Sequence, residues 1–517
     1  MTPRSSGHRS LRQSSGARNV ILRGASWTTL AQLAPLVVNI VLTPRLLESF
    51  GAERYGLYLL SFSVVAFFGS FDGGISKSVG RWSAIYAGRD DRAGNTRMLT
   101  SIAAVVVLFG AALFAALFVS ASWILSFFGV TGTVQSEGVF LLRSMAIVLG
   151  ISQLRGIFGA QLAARQRFAL QGAVNILSYL VFAVGAIVTI REDDGLRGIG
   201  VTILAQAFVV TVVLVPAGCR YLDRKSIGLM SWAELRGFLS FSFKVQGIGL
   251  SYLVTQQADT FIVGRFLSLA SVAVYGPGSS FANQLRNVFM NALPPMSTSL
   301  AQAFGRGGTD EVLAEFTKIQ RRWVQAVAAW CSVGAAAACF GVPRWLGSDY
   351  HMAGPVAGLL IAAFAFSLWI GALVSLLSTV GRPEIELSCA TVGVVINLAL
   401  TIPLLLAFGL LGTVAATAAG TIISSLYMVR ITRRRYRADV PSFTRDIPVL
   451  PSILAVAGVA LLEYVASPIV PTGTLGLISS GLLASPGFLV FGIALLGPRG
   501  SAQLVRSQWM SRRALTS

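Results

Sequence analysis

The sequence is short of charge. Asp, Glu, Lys and Arg make up 12% of its 517 residues, about half of the ~25% usual in soluble domains. A soluble chain of this length could not cover its surface with so few charges, which excludes an ordinary soluble enzyme. Histidine is almost absent, with only His8 and His351, so a His-based metal site is excluded. Lysine is scarce too: 37 of the 41 basic residues are Arg. The four cysteines, Cys219, Cys331, Cys339 and Cys389, form no C-x-x-C and lie in or beside apolar runs, so they read as small core residues. The chain has no G-x-x-x-x-G-K-[ST], no H-E-x-x-H and no G-x-S-x-G. Those absences exclude an ATP-driven pump and the commonest hydrolase sites, and they predict no catalytic residue, no metal and no cofactor. An integral-membrane glycan ligase or polymerase stays open, although the external loops are short and poor in paired carboxylates.

What the chain has is apolar sequence. Apolar residues make up 54% of it, and the mean hydropathy is +0.71. Fourteen runs of about 20 residues read as membrane-spanning helices: 24–44, 56–76, 100–121, 140–161, 168–190, 198–219, 237–262, 270–296, 323–342, 355–381, 387–407, 409–429, 447–466 and 474–497. Residues 308–322 read as a short amphipathic helix starting after Thr309. The first 20 residues, rich in Ser and Arg, read as a disordered cytoplasmic tail rather than a cleavable signal.

The net charge of +20 belongs to the membrane topology rather than to nucleic acid, because the cations lie between the apolar runs. With the N-terminus inside, 31 of them fall on cytoplasmic segments and 6 on external loops, among them Arg265 and Arg344. The asymmetry predicts a multi-pass protein of the inner (cytoplasmic) membrane with both termini in the cytoplasm.

Short patterns recur in register. Leu22-Arg23-Gly24 matches Leu235-Arg236-Gly237, Tyr55-Gly56 matches Tyr275-Gly276, and Gly88-Arg89 matches Gly305-Arg306. Asn175 matches Asn397, and Gly195-Leu-x-Gly198 matches Gly409-Leu-x-Gly412. The repeat is six helices long, so both copies enter the bilayer in the same direction, a transporter arrangement. The expected organisation is a tail (1–20), a six-helix lobe (21–219), a cytoplasmic linker (220–236) and a second six-helix lobe (237–430). A basic cytoplasmic loop (431–446), helices 13 and 14 (447–497) and a basic cytoplasmic tail (498–517) complete it.

Four cations remain inside the spans. Ionisable groups are expensive in lipid and usually face a protein interior or a wet cavity. At about 100° per residue, Lys244, Ser251, Thr255 and Asp259 share one face of the seventh helix. Tyr275, Ser279, Asn283 and Arg286 share one face of the eighth, and Ser144, Ser152, Arg155 and Gly159 one face of the fourth. Arg155, Lys244 and Arg286 fall at similar depth, which suits a di-anionic group entering from the cytoplasmic leaflet. The bland alternative is that each cation pairs with a carboxylate or snorkels to the interface. Asp72 reads as a structural residue that caps the following helix or pairs with Lys77 or Arg81. Asp259 reads as a gating partner of Arg265 or as a proton or cation site, and Glu463 as interfacial.

The stretch FDGGISKSVGRWSAIYAGRDD (71–91) resembles the segment after the second helix of polysaccharide-biosynthesis flippases, the Wzx-type members of the multidrug/oligosaccharidyl-lipid/polysaccharide (MOP) exporter superfamily. Residues 257–307 carry a similar Asp, Gly, Tyr, Pro order in Asp259, Gly264, Tyr275 and Pro295. Residues 381–421 carry the Gly-Arg, Asn397 and Gly-Leu-x-Gly succession. The resemblance implies an all-α integral membrane fold of about 14 transmembrane helices, with two six-helix bundles in parallel repeat around a V-shaped cationic cavity and two C-terminal helices added. It implies alternating access and a polyprenyl-pyrophosphate-linked oligosaccharide as substrate. Its cavity residues map onto Arg155, Lys244 and Arg286. Implied partners are the lipid-linked oligosaccharide, membrane lipids, and a glycan polymerase or glycosyltransferases of the same pathway. A drug or small-solute antiporter and a lipid II-type flippase are the alternatives within the superfamily.

Overall fold

The computed structural model describes the backbone of residues 7–70, 74–165, 167–380, 382–436 and 447–514. Side chains are described within 33–496, apart from 71–73, 77, 84, 88, 166, 241, 243–245, 247–256, 294, 298, 381, 383 and 435–446. Asp72 and the side chains of Lys77, Lys244, Ser251 and Thr255 therefore lie outside the described residues.

The described residues hold fifteen α-helices and no strand. The first six are α1 (Gly7–Gly69), α2 (Ile75–Gly88), α3 (Arg92–Phe127), α4 (Gly132–Ala164), α5 (Phe168–Glu192) and α6 (Gly195–Cys219). They are followed by α7 (Trp232–Phe266), α8 (Leu269–Met290), α9 (Leu293–Leu346), α10 (Ala353–Trp369) and α11 (Gly371–Thr379). The chain continues through α12 (Pro383–Phe408), α13 (Leu410–Tyr436), α14 (Val449–Ala466) and α15 (Thr474–Ala514). Helix is the form that satisfies every backbone polar group inside an apolar run, and lipid offers no other partner. Among the described residues eleven helical stretches are long and apolar enough to cross a membrane, α10 and α11 together making one of them.

Three expected boundaries change. The first two spans, expected to be separated by an external loop, are merged in α1 with a break at Gly51 (φ 73, ψ 168), a backbone conformation that glycine adopts without cost. In α9 the break falls at Gly307 and Gly308, so the expected amphipathic helix runs on without interruption into the apolar run after it. The expected span 355–381 is divided at Ile370 into α10 and α11.

The chain forms two compact units, Met1–Leu253 and Val254–Ser517. In the first, α4 packs against α3, α6, α2 and α1, and α5 against α1 and α6. Ile75, Val79, Met98, Ile102, Ile157 and Phe238 form a buried cluster there. In the second, α10 packs against α8, α9 and α13, and α12 against α13. The pairings α3/α4, α4/α6 and α5/α6 thus recur as α9/α10, α10/α13 and α12/α13. α14 and α15 pack on each other and on α9 through Val333, Ala336, Ala455, Val459, Ala484 and Phe491.

Glu463 of α14, expected at the interface, is 0% exposed. Arg344 of α9 donates to its carboxylate, to its backbone oxygen at 2.9 Å and to Ser480 Oγ at 2.8 Å. The expectation failed because the partner cation stands far away in sequence, on a segment read as an external loop. The cysteines divide evenly: Cys331 and Cys389 are buried, while Cys219 and Cys339 are exposed.

The segment between α6 and α7 is fastened to the first turns of α3. The backbone N–H of Asp223 donates to Thr96 Oγ1 at 2.9 Å, and that of Met230 to Ser101 Oγ at 2.7 Å. Thr100 Oγ1 donates to the Gly228 carbonyl at 2.5 Å. Asp223 caps a short 3-10 turn, Arg224–Ser226. Ser231 and Glu234 form a reciprocal capping box at the start of α7.

Candidate functional site

Among the described residues, each helical unit has a polar cavity. In the first unit, α4, α5 and α6 line a half-open cavity of about 680 Å³, within the 300–1,000 Å³ range of ligand sites. Its polar lining is Arg155, Gln171, Asn175, Ser178, Tyr179 and Gln206, with no carboxylate among the lining residues. Gln206 Nε2 donates to Ser178 Oγ at 2.9 Å, and Gln171 Nε2 to the Gly159 carbonyl at 2.5 Å. These bonds tie α6 to α5 and α5 to α4, so the polar wall is held in place rather than loose. Arg155 is half-buried and makes no ion pair or hydrogen bond with any described residue. A guanidinium inside a span without a carboxylate needs water or an anion. Its planar fork suits two phosphate oxygens.

In the second unit a much smaller cavity, about 70 Å³, lies among α7, α8, α10 and α13. At about 30 Å³ per water, that is room for a few waters or a bare ion. Asp259, 3% exposed, sits in its wall. Tyr275 Oη donates to Asp259 Oδ2 at 2.9 Å, and Thr417 Oγ1 to the same oxygen at 2.7 Å. Asn397 Nδ2 donates to Thr417 Oγ1 at 3.0 Å. The Asn397 amide stands close to the carboxylate as well, yet the buried Oδ1 has no partner with hydrogen-bond geometry. Ser279, Asn283 and Arg286 line the same cavity. The Arg286 guanidinium lies 5.0 Å from the Phe364 ring centre, a cation–π distance.

The structure therefore gathers five of the sequence-selected residues, Asp259, Tyr275, Ser279, Asn283 and Arg286, in one cavity, as the shared face of α8 requires. Arg155 lines the other. Ser152 is half-buried and turns its hydroxyl onto the Leu149 carbonyl at 2.8 Å, outside the lining of the large cavity. Arg81 is exposed on α2. Reasoning from charge missed Gln171, Ser178, Tyr179 and Gln206, and also Thr417. Asn175 and Asn397, which match across the repeat, were the available signal: one lines the large cavity and the other braces the small one. The described residues hold no cluster of three His, Cys, Asp or Glu that could bind a metal.

Comparison with known proteins bears on what these cavities serve. Residues 42–304 match a family model described as polysaccharide biosynthesis protein. The succinoglycan biosynthesis transport protein ExoT of Rhizobium meliloti (strain 1021) is 23% identical over 277 residues, 53% of this chain and 52% of that protein. A Shigella flexneri protein, provisionally named as an O-antigen transporter, is 25% identical over 156 residues, 30% of this chain and 36% of that protein. The chain thus spans about half or less of the length of these curated relatives. Among solved structures, the lipid II flippase MurJ in an inward closed conformation superposes with a TM-score of 0.69 at 13% identity, covering 91% of this chain and 98% of that one. An inward-facing multidrug-resistance MATE family transporter of the MOP superfamily superposes with a TM-score of 0.64 at 14% identity, covering 79% and 94%. With its all-helical multi-pass fold shared with MOP transporters and its matched half, this chain belongs to the polysaccharide biosynthesis protein family.

Proposed function

We propose that the protein is a flippase that moves a polyprenyl-pyrophosphate-linked oligosaccharide across the cytoplasmic membrane, for surface or exopolysaccharide assembly, by alternating access. The names of the curated relatives, both transport proteins of polysaccharide pathways, support this reading. It takes 21–219 and 237–430 as the two repeats and both termini as cytoplasmic. Partners would be membrane lipids and the polymerase or glycosyltransferases that handle the same glycan.

The observation that carries the substrate class is Arg155. It is a half-buried cation in a cavity of about 680 Å³ whose other polar groups are neutral amides and hydroxyls. Neutral donors and acceptors suit sugar hydroxyls, and the cation suits the pyrophosphate. Lys244 and Arg286 are proposed as further contacts to the anionic group. Ser152, Ser251, Thr255, Asp259, Tyr275, Ser279 and Asn283 are proposed as polar groups along the route, and Asp72 and Arg81 as structural or gating residues. A cation antiporter would instead need an acidic site of ligand size, and the cavity that contains Asp259 is about 70 Å³.

The test is charge reversal. Arg155→Glu and Arg286→Glu should each abolish surface glycan while drug susceptibility stays unchanged. A rise in drug susceptibility with surface glycan intact would favour the antiporter.

A further inference from the structure

In the segment between α6 and α7, Leu222 and Met230 pack on the cluster of the first unit while Ile227 and Leu229 turn outward. Its backbone is extended at Ile227 (φ −64, ψ 120), and exposure alternates along residues 227–230. Gly228 and Met230 face α3: the Gly228 carbonyl takes the Thr100 hydroxyl, and Met230 packs against the cluster of the first unit. Ile227 and Leu229 face away, 64% and 75% exposed, and Trp232, the first residue of α7, is 73% exposed. An aqueous loop would place polar residues at those positions.

The depth of this segment is fixed. Its three hydrogen bonds go to Thr96, Thr100 and Ser101, and from Ile102 to the end of α3 no charged residue occurs. Residues 102–127 alone rise about 38 Å at 1.5 Å per residue, more than the ~30 Å hydrocarbon core. The strap therefore lies level with the headgroup layer. Arg220, Arg224, Lys225 and Arg236 flank it, all exposed. Its two acids are occupied within the chain. Asp223 accepts from the Lys225 amide and the Ser226 hydroxyl, and Glu234 accepts from the Ser231 amide and hydroxyl. Four exposed cations against these two carboxylates leave the strap with a net positive charge.

We propose that residues 227–232 are an interfacial anchor, with Ile227, Leu229 and Trp232 inserted among anionic phospholipid headgroups and the four cations set on their phosphates. Apolar and aromatic side chains at headgroup depth, with Arg and Lys alongside, are the pattern that holds a segment in an anionic leaflet. The linker then belongs to the bilayer surface rather than to the cytosol. The inference uses the membrane-spanning fold and the cytoplasmic placement of the α3 N-terminus, and it does not use the nature of the transported molecule.

The test is the emission of Trp232, read as wild type minus Trp232→Phe, in nanodiscs of phosphatidylglycerol. Bromine placed near the headgroup end of the acyl chain should quench that difference emission about two-fold or more, bromine at the chain end much less, and aqueous iodide little. Replacing phosphatidylglycerol by phosphatidylcholine should weaken the bromine effect. Free quenching by iodide with none by bromine would overturn the proposal. So would resistance to both quenchers, because the residue would then be covered by protein, a second copy included. If Trp232→Phe fails to fold, carbene labelling of wild-type residues 227–232 from a headgroup-borne diazirine reads the same contact. Labelling is expected, and its absence overturns the anchor. Surface glycan in the same cells reports separately on the transport proposal.

Discussion

Arg344 and Glu463, 119 residues apart in the chain, form a buried ion pair that joins α9 to α14. The Ser480 hydroxyl of α15 accepts from Arg344 Nη1 at 2.8 Å and donates to the Glu463 carboxylate at 3.4 Å. One polar node thus ties the last two helices to the body of the second unit, beside the apolar cluster of Val333, Val459 and Phe491.

Breaking that node from one side leaves a charge buried without its partner. Arg344→Met or Glu463→Leu alone is expected to cost about 3–5 kcal/mol, whereas the two together should recover most of the loss. Thermal unfolding in detergent measures this as a large drop in Tm for each single variant and a smaller one for the pair. Equal mildness in all three would contradict a buried pair.

The two hydroxyls on Asp259 Oδ2 should behave as a unit. Tyr275→Phe and Thr417→Val each remove a donor to a buried carboxylate, at about 1.5–3 kcal/mol. Because both bonds end on one oxygen, the double variant should depart from the sum of the singles by about 0.5 kcal/mol or more. A double-mutant cycle on Tm checks it, and strict additivity would count against the shared acceptor.

The caps of the linker give a pH dependence. The Ser226 hydroxyl, and after it the Lys225 amide, hold the Asp223 carboxyl below its ordinary value. The Ser231 hydroxyl and amide do the same for Glu234. A carboxyl depressed by folding lends stability above its unfolded pKa and loses it as the pH falls through the folded one. Protection of the Lys225 and Ser231 amides from hydrogen exchange, corrected for the intrinsic rate, should therefore hold at neutral pH. It should be lost only as the pH drops through and below the usual carboxylate range. Loss on the alkaline side would contradict the assignment.

Arg155 separates charge from shape. Arg155→Lys keeps the charge and loses the fork, so glycan export should fall but persist. Arg155→Gln should lower it further, and Arg155→Glu should stop it. Quantified surface glycan in cells with equal protein levels checks the order. Equal export by all three would remove Arg155 from the route.

Much of this was readable from sequence because lipid allows few solutions. Long apolar runs had to be helices, and of the cations inside them Arg155 and Arg286 line polar cavities, whereas Arg143 is exposed and lies over the Phe118 ring. The helical phase of α8 correctly grouped Tyr275, Ser279, Asn283 and Arg286. Neutral polar groups were harder to see: Gln171 and Gln206 look like ordinary polar interruptions of a span until the fold sets them around one cavity. Glu463 was misread because its partner is remote in the chain. The fastening of the linker to α3 was not legible either, because nothing local shows that Thr96, Thr100 and Ser101 bond to it.

The account turns on movement of an intact glycolipid. Purified protein in liposomes with a labelled polyprenyl-pyrophosphate oligosaccharide measures it directly. The account predicts transfer of label to the opposite leaflet at a rate well above that of protein-free liposomes, with the glycolipid unchanged in mass and with no transfer by Arg155→Glu. A glycan that grows in length, or transfer no faster than in empty liposomes, would contradict it.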